Sequence, residues 1–284
     1  METIENRKRP GIIQFDMSPS KWPWWAIALI LSAIGFIYLI LTSQDYKDTF
    51  LFLTQGLYTT LRITFFSYII ATTIGLFAGL ARVSKNPILF NIATFYVEVV
   101  RGVPLVVLML YVAFAFFPLL VTTVQAFGNW GLILAPNSNF FANITHFTIR
   151  SVPMEGRAII ALAFGYGAYE AEVFRAGIQA IGKGQMEAAR SLGMNYIQAM
   201  RHIILPQAVR QVLPPLGNDF IACLKDSSLA TVLAVNELTQ LGRLRRSSTF
   251  RVLETFNVVA FLYLSMTLLL STGVRWLEEK LHIE

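Results

Sequence analysis

The stretch WWAIALILSAIGFIYLILT at positions 24–42 carries no acidic or basic side chain. A helix over it rises about 28 Å, close to the roughly 30 Å hydrocarbon thickness of a bilayer. Trp22, Trp24 and Trp25 stand at its start, where amphipathic rings suit a membrane interface. Arg7, Lys8 and Arg9 precede it, as they would in a signal peptide. The long polar lead-in, the long apolar run and the lack of a small-residue cleavage site favour an anchor that stays in place.

Similar apolar runs cover 56–82, 94–120, 157–181, 212–235 and 253–274. Hydrophobic residues make up 55% of the chain and charged residues 14%, against about a quarter charged in a soluble domain. Backbone groups in lipid must bond within their own segment, so every span is expected to be helical. The fold class is therefore all-α and integral to the membrane, with six transmembrane helices. The segment Val121 to Glu155 is broken by Gly, Pro and Asn and reads as an outer loop with a short surface helix. Its sequon, Asn143-Ile144-Thr145, is read as chance. The fifth run is the least clean, since Pro214 and Pro215 interrupt it and Asp219, Lys225 and Asp226 charge it.

The net charge of +6 fits basic cytoplasmic loops better than nucleic-acid binding. With both termini inside, Arg7, Lys8, Arg9, Lys21, Arg82, Lys85, Arg101, Lys183, Arg190, Arg201, Arg210, Arg275 and Lys280 gather on that face. Lys47, Arg150, Arg157, Arg243, Arg245, Arg246 and Arg251 are left outside. The bias supports this orientation, although the arginines between Asn236 and Arg251 oppose it. The one cysteine, Cys223, excludes an intrachain disulfide, and His146, His202 and His282 are too scattered to suggest a metal site.

Between the fourth and fifth runs lies Glu187-Ala188-Ala189-Arg190-Ser191-Leu192-Gly193. Nine residues later comes Ile203-Ile204-Leu205-Pro206. Gly193 permits a sharp turn between two short helices, the second over Asn195 to Ile204 with Pro206 near its end. Ala188, Ala189 and Gly193 are small enough for a partner's groove to approach. The competing reading is an amphipathic linker on the membrane surface. The pattern resembles the EAA loop of type I ABC importer permeases, EAA-x3-G-x9-I-x-LP, without departure. Other stretches resemble the polar amino acid (histidine/glutamine) subfamily. These are Gly56 to Arg62 (GLYTTLR), Glu98 to Pro104 (EVVRGVP), Ala168 to Glu172 (AYEAE), Arg175-Ala176-Gly177, and Lys225 to Ala230 (KDSSLA).

The resemblance implies a five-helix permease domain over 54–275 and a cytoplasmic coupling loop over 183–210. An extra helix would lie at 24–42, and cytoplasmic tails at 1–23 and 276–284. It settles the orientation with the Asn236 to Arg251 loop outside. It implies a bacterial inner-membrane location and a dimeric ABC ATPase docking at Glu187, Ala188, Ala189, Gly193, Met194, Asn195, Ala199, Leu205 and Pro206. A second permease subunit and a periplasmic or surface amino-acid-binding protein would complete the importer. This chain would bind no cofactor, with ATP and Mg held by the ATPase. Consistent with that, Gly177 to Gly184 (GIQAIGKG) places Gly184 where a phosphate loop needs a hydroxyl, and no strand is expected before it. No enzymatic motif such as GxSxG or HExxH appears.

Charges inside spans are costly and usually pair or line a cavity. Glu172 and Arg175 share a helical face and can pair, whereas Glu170 points elsewhere. Glu98 and Arg101 read as a structural pair at the membrane edge. An amino acid brings an ammonium and a carboxylate, and Glu172, Asp226, Lys225, Glu170 and Ser227 are the candidates for its path. The rival function is an ion-coupled carrier, for which the expected internal repeats are not found. A scaffold without transport leaves the buried charges unexplained.

Overall fold

The computed structural model describes residues 24–280, without the Lys183 side chain. The expected tail at 1–23 and the last four residues lie outside this range. All elements among the described residues are helical. Residues 24–47 form a unit described by itself: α1 (Trp24–Thr42) buries none of its own side chains.

The second unit begins within α2 (Gln44–Val83). Its buried stripe ends in Ala71, Gly75 and Gly79, small residues at four-residue spacing. They let α6 (Met154–Ala180) approach closely. A Cβ added at Gly75 would stand 2.7 Å from that of Glu170, and one at Gly79 2.7 Å from that of Phe174. Membrane helices associate through such small-residue contacts, because lipid supplies little hydrophobic drive between them.

The third run departs from expectation. Instead of one helix over 94–120 there are two, α3 (Pro87–Gly102) and α4 (Leu105–Leu134). Val103 precedes Pro104 and takes an extended conformation (φ −109°, ψ 136°), since the proline ring disfavours helical backbone before it. α4 contains a π-turn at Val112–Phe116 and continues into the expected outer loop. There α5 (Asn139–Thr145) folds back on it. Gly128 and Gly131 are spacers here and not helix breakers: a Cβ at Gly128 would stand 2.9 Å from Ile144 Cγ2, and Gly131 abuts Phe141.

After α6 come α7 (Lys183–Ser191) and α8 (Tyr196–Ala199). A π-turn at Met200–Ile204 carries α8 straight into α9 (Leu205–Asp226). Pro206 therefore does not close the second loop helix. It sits in the first turn of α9, where a missing N–H is tolerated, and the wider π-turn accommodates its ring. Pro214 and Pro215 also lie inside α9 without ending it. The regular helix stops later, where Ser227–Leu233 tightens to 3-10 and Ala234 turns left-handed at φ 54°. The break expected at the prolines thus falls one helix end further on.

The last elements are α10 (Leu238–Thr249) and α11 (Val252–Lys280). α10 gives the loop expected at Asn236 to Arg251 a helical structure. Glu237 caps it, accepting from the Thr239 and Gln240 amides at 2.8 and 2.7 Å and from the Tyr263 hydroxyl at 2.9 Å. Burial pushes the Glu237 carboxyl above its usual range, and the two amides pull it back. The tail expected from 276 is helical as far as Lys280.

Among the described residues, α1, α2, α4 and α11 are long and apolar enough to cross a membrane. α6 and α9 have comparable length but carry Glu170, Glu172 and Arg175, and Asp219, Lys225 and Asp226. α2 is a ruler for the second unit. Thr49, near its start, accepts from Arg245 of α10 at 3.4 Å, while Leu80 and Val83 line a hollow with Tyr196 and Met200. At 1.5 Å per residue these two places are about 47 Å apart. That exceeds the hydrocarbon core of about 30 Å, so α10 and the α7–α8 hairpin lie at opposite faces.

Candidate functional site: a helical hairpin and a charged cavity

The α7–α8 hairpin is built from local signals. Its turn is a Schellman motif: the Gly193 amide donates to the Arg190 carbonyl at 3.0 Å and the Met194 amide to Ala189 at 3.2 Å. Gly193 has φ +83°, which is why glycine stands there. Asn195 then opens α8 with a capping box. Its side chain accepts from the Gln198 amide at 2.9 Å, and the Gln198 side chain accepts from the Asn195 amide at 2.9 Å. Gln207 of α9 reaches back to Gln185 of α7 at 3.4 Å.

This arrangement divides the residues expected to dock a partner. Glu187, Ala188, Gly193, Asn195, Leu205 and Pro206 are exposed, and Met194 is half-buried. Ala189 and Ala199 are buried, because their small side chains face the hairpin's own interior and let its two arms close. They shape the hairpin and offer no contact surface. The most exposed apolar residues are Leu192 (81% exposed), Ile197 (74%) and Tyr196, ahead of Leu205. The sequence expectation did not include these three, although Leu192 and Ile197 are apolar side chains at a turn and in a first helical turn.

The second feature is a cavity of about 430 Å³ between α6 and α9, at the hairpin end of the bundle. Tyr169, Glu172, Ala176 and Ala180 line it from α6, Gln211, Pro215 and Asp219 from α9, and Arg101 from the end of α3. Arg82 joins Glu172 at 2.6 Å and lies 3.5 Å from Glu98; Arg175 also pairs with Glu172. The expected Glu98–Arg101 pair is not formed. Glu98 turns to Arg82, and the Arg101 guanidinium stacks 5.5 Å from the Tyr169 ring centroid, inside the cavity. Asp219 accepts no hydrogen bond and makes no ion pair among the described residues. The cavity therefore offers an available cation, Arg101, and an available carboxylate, Asp219, while two arginines already hold Glu172.

The remaining expected residues are spread out. Glu170 is 0% exposed between α6 and α2, and neither of its carboxylate oxygens has a hydrogen-bond partner. Asp226 accepts from Tyr166 at 2.8 Å, and Ser227 donates to the Leu224 carbonyl at 2.7 Å. Lys225 is exposed. The structure thus gathers Glu172 and Arg101 with Asp219 but leaves Lys225, Asp226 and Ser227 outside the cavity, Ser227 fully buried. Asp219's place on the cavity wall was readable in principle. Gln211, Pro215 and Asp219 recur every four residues and so share one helical face.

The chain matches the family described as "Binding-protein-dependent transport system inner membrane component" over residues 71–283, and it belongs to that family. It is 38% identical over 236 residues to the probable glutamine ABC transporter permease protein GlnM of Bacillus subtilis, covering 82% of this chain and 95% of that one. It is 36% identical over 231 residues to the glutamine transport system permease protein GlnP of Escherichia coli, covering 81% and 93%. Among solved structures it resembles one titled as an amino acid ABC transporter with histidines. The TM-score is 0.66 at 34% identity, covering 85% of this chain and 98% of that one.

Proposed function

We propose that this chain is the membrane-spanning permease of an amino-acid importer driven by a separate ATPase. The observation that carries this reading is the α7–α8 hairpin. It is a two-helix projection with exposed Leu192, Tyr196 and Ile197, set at one end of a bundle whose charged cavity opens close by. A short helix pair of this kind fits a groove on a partner and transmits its movement to α6 and α9, which it joins directly.

In this reading α1, α2, α4, α6, α9 and α11 are the six spans, with α3 beside α6. The hairpin end is cytoplasmic, as are both termini, and the membrane is the bacterial inner membrane. ATP and Mg belong to the ATPase dimer. A second permease, identical or homologous, completes the pathway, and a soluble amino-acid-binding protein supplies it. Arg101 suits the substrate carboxylate and Asp219 its ammonium, with the Tyr169 ring beside them. Glu172 edges the path beside them, whereas Glu170 and Ser227 are buried in the bundle and Asp226 and Lys225 stand off the cavity, Lys225 where a second subunit would pack. Nucleotide binding biases two states of the bundle, inward-open and outward-open.

The test is purification with the ATPase, then a screen of amino acids, each with its binding protein, for stimulated ATP hydrolysis. Stimulation by one or a few amino acids is expected. Uptake driven by an ion gradient without ATP would replace this reading with the carrier one.

A further inference from the structure

At the end of the bundle opposite the hairpin, α10 carries arginines without acidic partners. Arg243 touches only the Thr231 hydroxyl, at 3.3 Å. Arg245 lies over the Phe52 ring and contacts the Thr49 hydroxyl. The Arg246 side chain is exposed and makes no hydrogen bond, ring contact or ion pair among the described residues. Of the acids flanking α10, Glu237 is buried and engaged in its own capping bonds, and Glu254 pairs with neither Arg243 nor Arg246 among the described residues.

A second observation lies on the same face. Phe250 follows Arg243 and Arg246 at helical spacing, closes α10 at φ +59° and is 87% exposed. A bulky side chain rarely adopts this backbone, and the site ordinarily favours Gly or Asn. Here the strained conformation holds an aromatic ring out in solvent.

We propose that Arg243, Arg246 and Phe250 form the docking patch for the soluble solute-delivery protein, a partner with an acidic rim around an apolar hollow. This rests on the importer reading above. Arg and aromatic residues are the types that carry binding energy at protein interfaces, and the guanidinium fork matches carboxylates in two bonds. A lipid surface fits less well. A helix lying on a membrane needs a continuous apolar face, and of the three leucines of α10, Leu238 and Leu241 are buried in the protein and only Leu244 is exposed. Position agrees, because α10 lies about 47 Å along α2 from the motor end, at the face where cargo is handed over.

The test uses the complete transporter with its ATPase in nanodiscs. The probes are the amino-acid-binding proteins of the same organism, each loaded and titrated while ATP hydrolysis is followed. In the double variant R243E/R246E the half-stimulating concentration should rise about tenfold, with basal hydrolysis unchanged and salt dependence flattened. Phe250→Gly relieves the strained backbone, so a similar rise there cannot come from unfolding. Unchanged half-stimulation and salt dependence in both variants would overturn the patch while leaving the importer reading intact. An effect that follows the anionic lipid content of the disc, and not the delivery protein, would overturn it in favour of lipid. If no binding protein stimulates the wild type, the importer reading fails and the patch fails with it.

Discussion

Gly193 gives a graded test of how the hairpin works. Its φ of +83° is left-handed, while an added Cβ would meet nothing within 4 Å. Substitution there is therefore a backbone effect and not a steric one. An L-residue in this region costs about 1–2 kcal/mol, less for Asn and more for a β-branched side chain. The hairpin has little to absorb that cost: its buried side chains are Ala189 and Ala199, and its turn is the Schellman pair around Gly193. At about 1.4 kcal/mol per factor of ten, Gly193→Ala should lower the population of the docked hairpin by about five- to thirtyfold. Gly193→Asn should stay close to wild type, and Gly193→Val should lose most coupled transport. The assay is uptake per ATP hydrolysed in proteoliposomes holding the full transporter, with membrane insertion checked for each variant. Equal performance by Asn and Val, or normal uptake by Val, would refute the backbone argument. Failure ordered by side-chain size would point to a partner pressed against this residue.

Other predictions follow from packing and charge. Gly75→Leu should destabilise the α2–α6 contact by about 1–3 kcal/mol or more and lower the melting temperature in detergent, because a Cβ already meets that of Glu170 at 2.7 Å. Arg82→Ala should cost about 1 kcal/mol, since Arg175 still pairs with Glu172 and Glu98 is largely exposed. Restoring the melting temperature with Arg82→Lys would show that charge and not the guanidinium fork is needed. Asp219→Asn should weaken amino-acid stimulation of hydrolysis about tenfold or more while leaving the melting temperature near wild type; no change across an amino-acid panel would remove Asp219 from the substrate path.

Much of the architecture was legible because lipid imposes one rule, a run of about 20 apolar residues per crossing. The rule fails where local chemistry acts within a run. Val103 before Pro104 splits α3 from α4 although apolarity continues across it. Gly128 and Gly131 resemble breakers in sequence, yet they serve packing against α5. Pro206, Pro214 and Pro215 look like helix ends, and a π-turn and neighbouring helices absorb them. The hairpin was legible because its signals are local: a glycine turn and an Asn cap three residues before Gln198. The cavity was less so. Spacing along one helix shows that Glu172 and Arg175 can meet, but it cannot show that Arg82 from α2 joins them or that Arg101 turns from Glu98 to Tyr169. Those contacts depend on how α2, α3 and α6 cross, which the small residues at 71, 75 and 79 set.

If the α7–α8 hairpin meets the motor, cysteine cross-linking to the ATPase will show it. Cys223 is the protein's one cysteine and is buried, so an introduced thiol reports without background. Ala188→Cys and Leu192→Cys, both exposed on the hairpin, should cross-link to the ATPase in a nucleotide-dependent way, and Ser248→Cys on α10 should not. Cross-links from Ser248, or none from either hairpin position in a complex that hydrolyses ATP, would contradict it.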